Sequence, residues 1–179
     1  MRSTIAIDVA APPEVVFRLA RDVTRWPALL PHYVSVRVIE RADERTLSEM
    51  VARRPLLPAL GLGIPVAWRA RTWSEPETLR LRFQHVAGAT RGMDVTWRIE
   101  PTATGCRVSI EHVFRRRIGL PIVGPLLGDE SFPRFVDRLF TRPIAARTLA
   151  TFRTLAEAVA PDMVRPTKSD RVDEANLVP

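Results

Sequence analysis

The sequence predicts an α+β fold in which a curved antiparallel sheet of about seven strands wraps around a long C-terminal helix. Residues 33–114 contain six segments in which apolar and polar side chains alternate, separated by turn residues. Residues 131–160 then carry apolar side chains at helical spacing. A sheet with one apolar face has to be covered, and this helix is the obvious cover.

The opening segment predicts one more strand, followed by short helices. Residues 4–9 alternate as TIAIDV, which is typical of a strand. A proline pair followed by Glu14 suits a helix N-terminus. Trp26 and Pro27 end that helix and leave room for one further turn.

The same patterns predict the bounds of the other strands, one loop and the closing helix. The six alternating segments are 33–41, 45–53, 66–74, 78–86, 93–100 and 106–114, and residues 55–65 are predicted to form a loop. A kink is predicted at Pro143 within the closing helix. Residues 1–160 are expected to be one ligand-binding domain, and the polar tail 161–179 is expected to be disordered.

Composition narrows the classes of function. The net charge is +7, but the cations are spread along the chain, so we expect no nucleic-acid partner. Cys106 is the only cysteine, which excludes an intrachain disulfide. No apolar run reaches the roughly 18 residues that span a bilayer, and Asp8 interrupts any signal-peptide core. We therefore expect a cytoplasmic protein, with a peripheral position at the inner face of the membrane left open.

Alternation also predicts which strand side chains face the helix. The wall of the expected cavity is mostly apolar and aromatic with few polar groups, which is typical of a small-molecule pocket, although plain core packing is the alternative. The residues expected to bind a ligand there are Tyr33, Trp68, Thr72, Phe83, His85, Met93, Trp97, His112 and Phe114.

His85 and His112 are the titratable groups expected on this inner face. Near neutral pH an imidazole can donate and accept a proton, which enolisation or aldol-type cyclisation requires. The phenol of Tyr33 suits the orientation of a carbonyl or enolate oxygen, or it anchors the adjacent turn. His32 follows Pro31 in that turn and is expected to be exposed. The spacing of the histidines does not match a metal site, so we expect neither metal nor cofactor.

Four stretches of the chain resemble the START / polyketide cyclase-dehydrase (SRPBCC) superfamily. They are APPEVVFRLARDVTRWP, LPHYVSVRVIE, TRGMDVTWRIEP and TLATFRTLAEAV, and the resemblance covers about residues 3–160. It implies the helix-grip fold, with two short helices after the first strand. The superfamily includes aromatase/cyclases, lipid carriers and coenzyme Q-binding proteins, so the fold does not choose between activities.

The resemblance also implies roles for particular residues. In aromatase/cyclases, a Tyr and a Trp at the positions of Tyr33 and Trp68 line the pocket. A polar pair that includes an arginine is implicated in cyclisation, and the matching positions here hold Thr72 and His85. This departure favours a different substrate or binding without catalysis.

Two unusual segments, 53–65 and 114–128, open with arginines and continue with apolar residues, Pro and Gly. The resemblance places both at the cavity mouth. Apolar tips flanked by arginine suit an anionic membrane surface, a lid or a dimer contact, and these alternatives stay open. The membrane-facing or lid candidates are Arg53, Arg54, Leu56, Leu57, Arg115, Arg116, Arg117 and Ile122.

Our first functional hypothesis is a protein that binds or carries a hydrophobic lipid-, polyketide- or isoprenoid-like molecule. The alternative is a cofactor-independent polyketide cyclase, aromatase or dehydratase that uses His85 and Tyr33 as acid-base groups. A third is a membrane-docked partner of a larger complex. The sequence leaves open whether the protein is a monomer or a homodimer.

Overall fold

Seven antiparallel strands form one sheet that covers a long helix at the end of the chain. The computed structural model describes residues 1–57, 62–88, 90–114, 134 and 136–164. The strands are β1 (Arg2–Val9), β2 (Tyr33–Ala42), β3 (Arg45–Leu57), β4 (Leu62–Glu75), β5 (Arg80–Gly88), β6 (Met93–Thr102) and β7 (Gly105–Phe114), in the spatial order β1-β7-β6-β5-β4-β3-β2. The predicted sheet is therefore confirmed, with β1 pairing antiparallel to β7 at the far edge.

The helices occur in the predicted order, but the first helix ends before Trp26, and Trp26 and Pro27 begin the next helix rather than end the first. Helix α1 (Pro13–Arg21) and the short α2 (Trp26–Leu29) follow β1, and α3 (Arg142–Val164) closes the fold. One face of α3 is buried, with side chains at the predicted spacing of three and four residues: Ala145, Thr148, Leu149, Phe152, Ala156 and Ala160. The helix thus supplies the cover that the apolar face of the sheet requires.

The start of the closing helix is irregular, as Pro143 predicts. Residues Asp137–Thr141 form a π-helical turn, in which the N–H of Arg142 bonds to the carbonyl of Asp137. A proline at 143 has no N–H to donate to the preceding turn, so a widened turn fits here. The carboxylate of Asp137 accepts a hydrogen bond of 2.7 Å from Ser3 Oγ, which ties this turn to β1.

The predicted loop at 55–65 is wrong, because strands β3 and β4 continue through most of it. Arg53 pairs with Pro65, and the hairpin extends to the pair Leu57 and Leu62. Strand β2 starts opposite Ala52, and β5 ends opposite Trp68. The two strands therefore continue beyond their paired neighbours in the described sheet as a two-stranded arm, at the base of which the N–H of Arg53 donates to the carbonyl of His32 at 2.7 Å.

Within the described ranges, no helix is long and apolar enough to cross a bilayer. The predicted tail begins inside α3, since that helix runs to Val164. Residues 165–179 lie outside the described part of the chain.

The aromatic core provides a direct test of how the helix is held. Phe152 is 1% exposed and contacts the rings of Trp26 and Trp97. We expect Phe152→Ala to lower the free energy of unfolding by about 3–5 kcal/mol, because it removes a buried ring and leaves a cavity. The measurement is urea unfolding followed by circular dichroism. The neighbouring Arg153→Ala, on the exposed face of the helix, should change the free energy of unfolding by less than about 0.5 kcal/mol. Equal effects of the two variants would contradict the conclusion that Phe152 packing holds the helix on the sheet.

Candidate functional site

A cavity lies between the inner face of the sheet and the first half of α3, and about 580 Å³ of atom-free space is associated with it, part of which is open solvent. Strands β2 to β7 supply one wall, and Thr141, Ile144, Ala145 and Thr148 supply the other. None of the described lining residues is Asp, Glu, Lys or Arg. The wall therefore offers aromatic surface and a few neutral polar groups.

Trp26 forms the centre of the aromatic wall. Its ring centroid lies 5.0 Å from that of Tyr33, and 5.7 Å from those of Phe83 and Trp97. Its Nε1 donates a 3.0 Å hydrogen bond to the carbonyl of Ala20 at the end of α1. The indole is 2% exposed, so this bond satisfies the one polar atom that burial would otherwise leave unpaired.

His85 stacks on Trp68 because of a β-bulge. Arg69 pairs with Ala87 and Ala70 with His85, so Val86 is the extra residue on β5. Trp68 consequently lies opposite Gly88, which has a φ of +87° and whose added Cβ would come within 2.6 Å of Trp68 Cα. The imidazole and indole planes are parallel within 6°, with centroids 5.8 Å apart.

Hydrogen bonds from the β5–β6 turn fix the His85 ring. Its Nδ1 lies 2.5 Å from the hydroxyl of buried Thr90, and its carbonyl accepts 2.9 Å from the N–H of Gly92. Burial, with a smaller contribution from His112, lowers the pKa of His85 to about 3. The ring is therefore neutral at physiological pH, and its second nitrogen has no hydrogen-bond partner among the described residues.

His112 is the second imidazole of the cavity wall, on β7. It is 3% exposed, and burial together with the nearby Arg142 lowers its pKa to about 4. Its Nδ1 is buried without a hydrogen-bond partner in the described structure. A buried donor or acceptor without a hydrogen bond costs free energy. A ligand oxygen that formed a hydrogen bond with this nitrogen would remove that cost.

His32 corrects a sequence prediction, because it is buried rather than exposed. Only 2% of its surface is accessible, and its Nε2 lies 2.8 Å from Thr148 Oγ1. The Thr148 hydroxyl donates its hydrogen to the carbonyl of Ile144 at 2.9 Å, so Nε2 of His32 is the donor to Thr148. Burial and the nearby Arg147 lower the pKa of His32 to about 4. The turn is closed over by α3, which sequence proximity to Pro31 does not reveal.

Tyr33 lies beside this pair and faces the cavity. Its ring contacts those of His32 and Trp68, at centroid distances of 5.1 and 6.0 Å. Burial raises the pKa of its phenol, with a smaller opposing effect of a hydrogen bond with the Thr148 side chain. The phenol therefore stays protonated beside that hydroxyl, at the cavity wall.

Most of the predicted ligand-binding residues line one cavity. Tyr33, Trp68, Phe83, His85, Met93, Trp97 and His112 do so, whereas Thr72 and Phe114 do not. Thr72 is buried, but it borders a separate cleft and its hydroxyl donates to the carbonyl of Thr46 at 3.2 Å. Phe114 is buried at the end of β7. The roles of all these residues toward a ligand stay predictions.

The lid or membrane candidates fall largely outside the described residues. This applies to Arg115, Arg116, Arg117 and Ile122, and to the side chains of Leu56 and Leu57. Arg53 is exposed and Arg54 is half-buried, on the two-stranded arm. Whether these segments form a lid, a dimer contact or a membrane contact stays an open prediction.

The sequence reasoning missed the contributions of the helices and of one turn. Trp26, Thr90, Thr141 and Thr148 all reach the cavity. Strand alternation predicts lining residues on strands only, so it does not indicate the side chains that helices and turns contribute. The threonines at 141 and 148, one helical heptad apart, were the signal that polar groups share the inner face of the closing segment.

Burial of three neutral histidines generates a prediction about pH. In the unfolded chain each takes up a proton below about pH 6.5, whereas the folded protein resists protonation until about pH 4 or below. Stability is thus fully present above about pH 6.5 and falls as the pH drops, by up to about 1.4 kcal/mol per pH unit for each histidine. Urea unfolding at about pH 7, 6 and 5 measures this slope.

A matched variant isolates the histidine contribution. Glu49 and Glu111 have pKa values lowered below 4.5 by their arginine partners, so they stay ionised throughout that range. His112→Gln should give a shallower decline than the wild type, since it removes one of the groups that titrate. A free energy of unfolding that does not change between pH 7 and 5 would disprove the burial of neutral imidazoles.

Comparison with known proteins places the chain in a family. The model of the family "Polyketide cyclase / dehydrase and lipid transport" matches residues 1–157. A bifunctional cyclase/dehydratase of granaticin polyketide synthesis from Streptomyces violaceoruber is 31% identical over 63% of this chain, a region that spans only 34% of that longer protein. A putative polyketide cyclase from Streptomyces cyaneus is 26% identical over 65% of this chain and 74% of its own length.

A solved structure shows the same architecture. The Zhui aromatase/cyclase from Streptomyces sp. R1128 superposes with a TM-score of 0.71 at 16% identity, over 89% of this chain and 94% of that one. The similarity shows the shared fold, and it confirms the helix-grip arrangement that the four sequence stretches imply. With a family model that matches nearly the whole described chain, the protein belongs to the polyketide cyclase / dehydrase and lipid transport family.

Proposed function

We propose that this protein binds a neutral, oxygenated, largely aromatic or polyketide-like molecule in the cavity between the sheet and α3. The observation that carries the proposal is the composition of the wall. Aromatic and aliphatic side chains surround the imidazoles of His85 and His112 and the phenol of Tyr33, and no described lining residue is charged. Such a wall matches hydrophobic surface and a few carbonyl or hydroxyl oxygens.

The same wall argues against a charged group inside the cavity. A carboxylate or phosphate buried there would lose its hydration without gaining a cation in exchange. The histidines do not supply that cation, because burial holds their pKa values near 3 and 4. A lipid with an ionised head group would have to keep the head outside. Transfer of a neutral ketone or phenol from water into the cavity costs far less free energy, and either group can form a hydrogen bond with the unpaired imidazole nitrogens.

A pair of matched probes tests this proposal. We expect 1-naphthol to bind, since it combines a flat apolar body with one hydroxyl, and 1-naphthoate to bind at least about 100-fold more weakly at neutral pH. That ratio corresponds to about 2.7 kcal/mol, which is below the several kcal/mol that burial of an unpaired ion costs in a protein. Quenching of tryptophan fluorescence reports binding, because Trp26, Trp68 and Trp97 line the cavity. Equal affinities for the two probes would reject a neutral site.

A second candidate function is catalysis of cyclisation or dehydration without a cofactor. It is favoured by the way in which Thr90 holds one nitrogen of His85 and leaves the other without a described partner. In such a reaction Tyr33 would donate a hydrogen bond to a ketone oxygen. In cyclisation His85 would accept a proton from the carbon between two ketones, that enolate carbon would form a C–C bond to a distant ketone carbon, and the imidazolium would return the proton to the alkoxide that the C=O group becomes. In dehydration His85 would accept a second proton from the same carbon and return it to the new hydroxyl, which leaves as water while a C=C bond forms.

The pKa of His85 ranks binding ahead of catalysis. A general base works best when its pKa is near the operating pH, and a value near 3 makes the imidazole in the empty cavity a weak base. A neutral imidazole of this kind suits orientation of a ligand oxygen through a hydrogen bond. Catalysis therefore requires that a bound substrate raise this pKa.

His85→Gln separates the two functions. Glutamine retains a hydrogen-bonding amide but cannot carry the proton. We expect 1-naphthol affinity to stay within about threefold, since the lost stacking and the retained amide are a small net change of about 0.6 kcal/mol. If the protein is an enzyme, conversion of a linear aryl triketone to its cyclised product, followed by absorbance, should fall at least about 100-fold.

His112→Gln is the control for that experiment, because it changes the other imidazole of the same wall. It should lower turnover by less than His85→Gln does, because no proton transfer is assigned to His112. If the wild type does not accelerate cyclisation over buffer, the enzyme candidate fails and the binding function stands. If His85→Gln retains full turnover, the assigned role of His85 is wrong.

A further inference from the structure

Phe83 lines both the cavity and a second, polar cleft. The cleft lies where α1 ends against strands β2 to β5, with about 750 Å³ of atom-free space, part of which is open solvent. Its lining includes residues of both charges and hydroxyl-bearing residues: Arg21, Asp22, Arg41, Glu44, Thr46, Thr72 and Ser74. Among the described residues, Phe83 is the one side chain that borders both spaces.

The two sides of the Phe83 ring differ in character. On the cavity side its centroid lies 5.7 Å from that of Trp26 and 6.5 Å from that of Trp97. On the cleft side its partner across the strands is Thr72, whose hydroxyl is bonded to the Thr46 carbonyl at 3.2 Å. Phe83 is thus the described residue at which the apolar cavity and the polar cleft meet.

We propose that Phe83 is a specificity-determining residue that sets the maximum length of the ligand. This inference rests on the proposed binding function. A substituent that extends from the ligand core toward Phe83 meets a ring that is 5% exposed and held by two indoles. Methylenes up to that contact are buried and contribute about fourfold each to affinity, whereas further ones have no space. Removal of the ring joins the two spaces and lifts the limit.

The experiment measures affinity against chain length for 1-naphthol and its 2-alkyl derivatives from methyl to octyl. In the wild type, affinity should rise by up to about fourfold per methylene and then drop by at least about tenfold beyond one chain length. In Phe83→Ala the drop should move to a longer chain, so that the octyl derivative binds at least about tenfold more tightly than it does to the wild type.

Two control variants test whether the chain-length limit is specific to Phe83. Val95→Ala enlarges the cavity alone, and Leu81→Ala enlarges the cleft alone, because each residue borders one of the two spaces. Neither should move the chain-length limit. Circular dichroism and thermal melting verify folding; if Phe83→Ala does not fold, Phe83→Leu replaces it and should move the limit by a smaller amount.

The outcomes are distinct. If 1-naphthol binds the wild type and Phe83→Ala, and both have the same chain-length limit, the role of Phe83 in setting that limit is rejected while the binding function stands. A shift of equal size in Leu81→Ala would also reject Phe83 as the determinant. If 1-naphthol binds neither protein, the proposed function fails and this inference fails with it.

Discussion

The position of Trp26 is the constraint on which the rest of the structure depends. This indole is held by one hydrogen bond to the carbonyl of Ala20, and it contacts aromatic rings from β2, β5, β6 and α3. Two of these contacts are edge to face and two are tilted, with ring centroids 5.0–5.9 Å apart. The Trp-Pro pair that begins α2 therefore places one ring that packs against both the sheet and the closing helix at the border of the cavity.

Neutrality of the cavity is the second consequence of this packing. Three imidazoles are buried in or beside the wall, and burial is the largest cause of the lowered pKa of each. The ordinary role of histidine as a proton carrier near pH 7 is thereby suppressed, while its capacity for hydrogen bonds remains. Burial of neutral histidines thus suits the cavity for a neutral ligand and also makes the folded protein less stable in acid. The ligand site and the pH dependence of stability therefore depend on the same three histidines.

The strands could be predicted from the sequence far better than the contacts between distant elements. Alternation in β4 to β7 was enough to assign Trp68, His85, Met93 and His112 to the inner face, because side chains in a strand have a period of two. His32 was misjudged because its burial depends on Thr148, which lies 116 residues away along the chain. The stacking of His85 on Trp68 likewise depends on the bulge at Val86 and on Gly88, and neither changes the pattern of apolar residues.

Thr72 connects the departure from the family pattern with the chemistry of the site. The family resemblance implies an arginine among the inward polar residues of cyclases, at positions that here hold Thr72 and His85. An arginine at 72 would add a fixed charge beside Phe83 and would occupy part of the cleft behind it. Threonine does neither, since its hydroxyl is already bonded to the Thr46 carbonyl. Thr72 borders the cleft and not the cavity, so this short side chain adds no charge on the cleft side of Phe83, and the described cavity wall is itself uncharged. A ligand recognised under these conditions is selected by shape, length and a few neutral hydrogen bonds rather than by charge.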